Sequence, residues 1–168
     1  MEEYKGIILG TGNYDIKTGN TVSITGDGGN AWDYYGPAYK KLAPRLITYT
    51  PYAAKLLKLE ELKKTNYDEY VKFRRLIEDQ YIESYYETRL KDLDAYELLK
   101  TLKKLFGTNI ILLCHEPTDE FCHRRLLADW ILLETGIFIP EISFDEKGKV
   151  KQIRHLSYID RLEKIRKR

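Results

Sequence analysis

Ile110-Ile111-Leu112-Leu113 runs straight into Cys114-His115-Glu116, crosses a short loop and enters Cys122-His123-Arg124 at the head of an apolar-rich stretch. The four aliphatic residues show no alternation of apolar and polar, the pattern of a strand buried on both faces of a parallel sheet. Ligands of such sheets bind beyond the carboxyl ends of the strands. Cys114, His115 and Glu116 are therefore expected at the mouth of a pocket. Cys122 is expected at the start of the next helix, where free N–H groups favour anions and thiolates.

Elements on either side follow from similar patterns. Tyr4 to Leu9 and Thr21 to Thr25 read as strands, with the glycine-rich Gly10-Thr11-Gly12-Asn13 between them. Leu46 to Thr50 is a β-rich run that reads as a third strand, stopped by Pro51, after which a short helix extends to Lys64. Asn66 with Glu69, and Asp94 with Glu97, have the spacing of capping boxes for two further helices. Phe73, Ile77, Tyr81 and Tyr85 recur every four residues along the first. Leu98, Leu99, Leu102, Leu105 and Phe106 supply the second, which Gly107 ends. A helix over Cys122 to Glu134, stopped by Gly136, precedes a strand over Ile137 to Ile142. The alternation of helix and strand predicts an α/β fold: a single three-layer domain with a mostly parallel central sheet flanked by helices.

At 168 residues the chain suits one domain. Its first residues are acidic and its apolar runs short, so neither a signal peptide nor a membrane span is expected, and a cytoplasmic setting is. The two cysteines then read as free thiols or ligands rather than a disulfide. The net charge of +2 hides an asymmetry: residues 147–168 carry nine Lys and Arg against Asp160 and Glu163, leaving −5 on residues 1–146. This divides the chain into a domain over 1–146 and a basic extension over 147–168. The extension reads as a solvated terminal helix, with nucleic acid or an acidic partner as the alternative. Fourteen tyrosines either line a pocket or cap the core.

Alternation along the strand puts Cys114 and Glu116 on one side and His115 on the other, so His115 is not expected to join them. Cys122, followed by His123 and Arg124, has the surroundings that lower a thiol pKa, but it is equally a small residue at a helix start. Cys114, Cys122 and His123 give at most three zinc ligands and no Cys-x-x-Cys pair exists, so no metal is expected. A zinc deaminase fails on the same count, and a cysteine phosphatase loop lacks its arginine six positions after the cysteine. Glycines 10–12 and 26–29 lack the companions of a phosphate-binding motif and read as turn glycines. Asn30, Trp32, Asp33 and Tyr34 mix polar groups with stackable rings, a composition suited to a base or sugar.

The run Leu-Leu-Cys-His-Glu followed by Cys-His-Arg-Arg-Leu-Leu-Ala-Asp-Trp at 112–130 resembles the hallmark of the DUF488 family, small bacterial, archaeal and phage proteins with Leu-Cys-x-Glu, a short loop and Cys-His-Arg. Upstream, Tyr39-Lys-Lys-Leu-Ala-Pro-Arg45 is similar to the Tyr-x-x-Leu-Ala-Pro of many members, and Asp68-Glu-Tyr-Val-Lys-Phe73 resembles their mid-chain helix. The resemblance spans roughly residues 21 to 142 and implies an α/β fold without an established reaction. It points to Cys114, Glu116, Cys122, His123 and Arg124, together with Leu42-Ala43-Pro44.

Taken together, the expectation is a small enzyme acting on an anionic, nucleotide- or nucleoside-like molecule, without a cofactor. Glu116 would be general acid/base, Cys122 nucleophile or polar support, and Arg124 the anion anchor. Cys114, His123, Asn30, Trp32, Asp33, Tyr34, Tyr39 and Arg45 would bind or cover the ligand. The alternative is a non-catalytic module that binds a nucleotide, nucleic acid or protein. A third reading makes the motif structural, with Glu116 and Arg124 paired to lock the loop.

Overall fold

The computed structural model describes residues 2–28 and 33–168. Its strands are β1 (Ile8–Asn13), β2 (Asn20–Ser23), β3 (Ile110–Cys114), β4 (Glu141–Phe144) and β5 (Val150–Ile153). Its helices are α1 (Leu46–Ala54), α2 (Leu56–Thr65), α3 (Tyr67–Tyr85), α4 (Ala95–Phe106), α5 (His123–Thr135) and α6 (Ile159–Arg166). The sheet order is β2-β3-β1-β4-β5, parallel through β4 and antiparallel at β5. This is a single α/β domain with a mostly parallel sheet.

β3 lies between β1 and β2 and every one of its residues is buried, as its unbroken apolar run requires. Ile110 and Leu112 face a large core with side chains from α3, α4, α5 and α6. Ile111 and Leu113 face a smaller one built with Tyr14, Ile16, Tyr34 and Ile142. Asn66 and Asp94 cap α3 and α4 with their side chains, and Gly107 and Gly136 take the left-handed backbone that ends α4 and α5. Ile77, Tyr81 and Tyr85 are buried and Phe73 half-buried. Leu105 points to solvent instead of completing the apolar face of α4.

Several elements differ from expectation. The first strand starts at Ile8, so the glycines that read as a turn lie inside it. A Cβ on Gly10 would stand 2.8 Å from Ile142 Cγ2 and 2.9 Å from the Pro140 carbonyl oxygen; glycine here lets β4 approach β1 and cradles no phosphate. Leu46–Thr50 is helical despite its β propensity, because tertiary contacts prevail over it. Thr48 is buried and shares hydrogen bonds with Ser84 (2.6 Å) and Thr88. Pro51 stands on the exposed side of α1, and the helix breaks at Lys55. The strand expected over 137–142 pairs only from Glu141 onward.

Residues 147–168 form no solvated tail. They supply β5 and then α6, which packs on α3 and α5 and puts Tyr158, Leu162 and Ile165 in the main core. Arg161 binds Glu78 and Asp79, Arg166 binds Glu134 and Arg168 binds Glu83, so three of the nine basic side chains are paired within the domain. Among the described residues no helix is long and apolar enough to cross a membrane.

Candidate functional site

The strand-to-helix connection from Cys114 to His123 is held from beneath by Arg124. Its Nε and Nη2 fork onto Glu141 at 2.7–3.2 Å, Nη1 donates to Cys114 Sγ and to the Glu116 carbonyl at 3.0 Å each, and Nη2 also reaches the Pro117 carbonyl at 3.3 Å. All five guanidinium N–H groups are engaged. Glu141 accepts a further bond from Thr11 at 2.7 Å. Arg125 Nη1 donates to Thr11 on β1 and to the Ile139 carbonyl, while its buried Nε has no partner among the described residues. The buried partner of Arg124 is thus Glu141 and not the Glu116 carboxylate. An anion-anchoring role for Arg124 is excluded by its burial and its saturation.

Beyond the carboxyl end of β3 opens a cleft of about 770 Å³, where parallel sheets bind ligands. His115, Glu116 and His123 line it together with Asp27, Arg45, Tyr49 and Arg89. His115 does join Glu116, their side chains lying 3.7 Å apart, because strand alternation ends with Cys114. A π-helical turn over Tyr86–Leu90 extends α3 and supplies Arg89. Arg89 Nε donates to the Ala43 carbonyl at 2.6 Å, and Tyr85 hydroxyl to that of Leu42 at 2.6 Å. These bonds fix Leu42-Ala43-Pro44 and carry Arg45 to the cleft, where its Nε donates to the Thr88 carbonyl. Both guanidiniums bond to backbone oxygens here. Burial and the neighbouring charge of Arg45 push the Arg89 pKa down.

Glu116 Oε2 and His123 Nδ1 are buried and have no hydrogen-bond partner among the described residues. Burial lowers the His123 pKa and keeps the ring neutral, while its Nε2 donates to the Ile24 carbonyl at 2.7 Å and so leaves the lone pair on Nδ1. Cys122, the N-cap residue of α5, is buried, which alone would raise its thiol. Hydrogen bonds from Cys114 and His155, with the Arg124 charge, outweigh burial and lower it. Burial and donation to Cys122 raise Cys114. Both nitrogens of His155 face carbonyl oxygens, of Leu156 and Glu120, an arrangement that suits the imidazolium whose pKa Cys122 raises.

The structure thus gathers Cys114, Glu116, Cys122, His123 and Arg124 around the loop and brings Arg45 to the cleft. It leaves others away. Tyr34 is buried in the smaller core, stacked on Tyr14 with ring centroids 5.2 Å apart, its hydroxyl spent on the Thr21 and Pro37 carbonyls. Tyr39 packs edge-on against Phe106 and lines not this cleft but a neighbouring pocket that shares Arg45 and Arg89 with it. Asp33 is exposed at a positive φ of 55° and lines no part of the cleft. Asn30 and Trp32 lie outside the described residues. Glu141, Arg89, Arg125 and His155 carry no local signal; only contacts distant in sequence reveal them.

The sequence model of the family described as a domain of unknown function, DUF488, matches residues 39–131, more than half of the chain. That stretch holds Arg45, Arg89 and the whole segment from Cys114 to Arg125, and excludes Glu141 and His155. No curated protein and no solved structure matches the chain.

Proposed function

The chain belongs to the DUF488 family, and from its cleft we propose that it is a small enzyme acting on an anionic, nucleotide- or nucleoside-like molecule. The observation that carries this reading is the carboxylate of Glu116, with one oxygen buried and without a partner among the described residues, in a cleft that Arg45 and Arg89 also line. Two cations that bond to backbone carbonyls retain N–H groups for a phosphate or carboxylate. The ring of Tyr49 offers a face for a base, and the cleft volume falls in the range that encloses a small ligand. Glu116, beside His115, is placed to give or take a proton there. Arg124 contributes by fixing the loop and touches no ligand.

The test is a panel of nucleosides, nucleoside mono-, di- and triphosphates and sugar phosphates, scored for thermal stabilisation and, by mass spectrometry, for product. A true ligand at a hundredfold excess over its dissociation constant stabilises by about 2.7 kcal/mol. Stabilisation with turnover supports the enzyme. Stabilisation without turnover assigns the cleft to a binding module, and a panel without any hit overturns the reading.

A further inference from the structure

Two side chains that line the cleft, Glu116 and His123, and a third buried behind them, Cys114, have the donor chemistry of a transition-metal site. Ligand atoms of Cys114, Glu116 and His123 all lie within 4.8 Å of one another. They come from the last residue of β3, the loop and the first residue of α5, a stretch of backbone that Arg124 clamps. Their mutual placement is therefore set by the fold.

Two of the three each hold one ligand atom that has no hydrogen-bond partner among the described residues. His123 is 2 % exposed, its Nε2 is committed to the Ile24 carbonyl, and its Nδ1 has no hydrogen bond. Metal-binding histidines are held in this manner, the distal nitrogen donating to a carbonyl so that the other presents its lone pair. Glu116 Oε2 is likewise buried and unpartnered. Two acceptors face the same space, and one cation satisfies both. Cys114 Sγ accepts from Arg124 Nη1 at 3.0 Å, the outer-shell donor that a ligating thiolate uses, and on binding a metal it releases the thiol proton it otherwise donates to Cys122.

We propose that Cys114, Glu116 and His123 bind one divalent transition-metal ion, zinc foremost, with an open coordination position facing the cleft. A thiolate and an imidazole select such an ion over magnesium or calcium. Three protein ligands with a vacant fourth position are the pattern of catalytic rather than structural zinc. Bonds of 2.0–2.3 Å place tetrahedral ligand atoms roughly 3.3–3.8 Å apart, so the trio closes by about 1 Å on the metal. Glu116, the one ligand residue that is only half-buried, makes that movement. Counting cysteines and histidine alone hides this site, since its third ligand is a carboxylate and Cys122 is not among its members.

The inference rests on donor geometry and goes beyond the proposed anionic substrate. Its test reads metal and not turnover, so either proposal can fail while the other stands. Full-length protein freed of metal by chelation is titrated with Zn²⁺ against a chromophoric chelator, and separately with Co²⁺. One zinc per chain is expected, and cobalt should give the intense visible bands of a four-coordinate site with a thiolate-to-metal charge-transfer band. Cys114→Ser should abolish the charge-transfer band. Glu116→Gln should weaken zinc by about 100-fold or more, beyond the 10–100-fold that loss of an outer-shell partner costs. Cys122→Ser should retain the metal. Absence of stoichiometric uptake, uptake unchanged in Glu116→Gln, or loss confined to Cys122→Ser overturns the assignment. Should Cys114→Ser fail to fold, Glu116→Gln decides, because its side chain reaches the cleft and leaves the Arg124 clamp untouched.

Discussion

Arg124 Nη2 lies 2.7 Å from Glu141 Oε2, and neither side chain has any solvent exposure. The pair ties the first turn of α5 to the start of β4, and the remaining N–H groups of Arg124 tie both to the loop after β3. The arginine of the Cys-His-Arg motif is thus a staple under the cleft. Cutting one side of a buried pair leaves an uncompensated charge, so Arg124→Met or Glu141→Leu alone should cost about 3–5 kcal/mol. The double variant should lose less than the two single losses combined, because two apolar side chains leave no charge behind. Urea unfolding of the three variants checks this.

Deletion of residues 147–168 should abolish cooperative folding. Leu162 is 1 % exposed within the main core, and Arg161 is bound to Glu78 and Asp79. Leu162→Ala alone should cost about 2–5 kcal/mol, read from denaturant midpoints. A melting temperature that survives truncation would restore the solvated tail expected from the charge count.

What was legible in the sequence depended on how local each signal is. The run Ile110–Leu113 predicts a two-sided buried strand because no polar residue interrupts it, and Asn66, Asp94, Gly107 and Gly136 mark helix ends by their own chemistry. Leu46–Thr50 misleads because its β-branched residues state a preference that Thr48, bonded to Ser84, does not follow. The tail misleads because its charges outnumber Tyr158, Leu162 and Ile165, whose spacing by four and three is nonetheless that of a buried helix face. Cys114, Glu116 and His123 were marked by their clustering and by the family resemblance. Glu141 could not be, since its meaning comes from an arginine 17 residues away.

Cys122 and His155 should titrate as a pair. The folded protein lowers the Cys122 thiol from its ordinary 9.0 to about 5, so the thiolate contributes stability in full above 9.0 and loses it as pH falls toward about 5. The raised His155 pKa works in the opposite direction: its contribution is full below 6.5 and is lost as pH rises through the elevated folded value. In metal-free Cys122→Ser, the His155 pKa followed by NMR should fall toward 6.5, and the acid-side slope of stability between pH 5 and 9 should flatten. An unmoved His155 titration would show that the two groups are not coupled.

Gly10→Ala should destabilise by about 1–3 kcal/mol, since its methyl group would stand 2.8 Å from Ile142 and 2.9 Å from the Pro140 carbonyl, backbone that cannot move aside without disturbing the β1–β4 pairing. The same variant should leave binding of any phosphate-bearing ligand unchanged. Weakened binding in a protein of unaltered stability would return the glycines to the role of a phosphate cradle.

Arg45 and Arg89 should separate capture from chemistry at the cleft. Both guanidiniums bond to backbone carbonyls, and burial together with the neighbouring charge of Arg45 disfavours the charge of Arg89 until an anion joins it. A hydrogen bond to a charged group is worth about 1.5–3 kcal/mol, so Arg45→Ala should weaken an anionic ligand by roughly 10–100-fold while leaving the fold intact. Arg89→Ala should weaken it similarly, with a further loss of stability because its bond to the Ala43 carbonyl also positions Arg45. Arg89→Lys should recover charge without the fork and restore affinity only in part. Glu116→Gln removes no guanidinium and, compared in metal-free protein, should leave anion affinity unweakened, while turnover is lost whether the carboxylate transfers a proton or holds a metal; calorimetry and product formation on wild type and the four variants separate the two effects. Equal affinity in wild type and Arg45→Ala would place the anion elsewhere, and turnover undiminished in Glu116→Gln would remove the carboxylate from the chemistry.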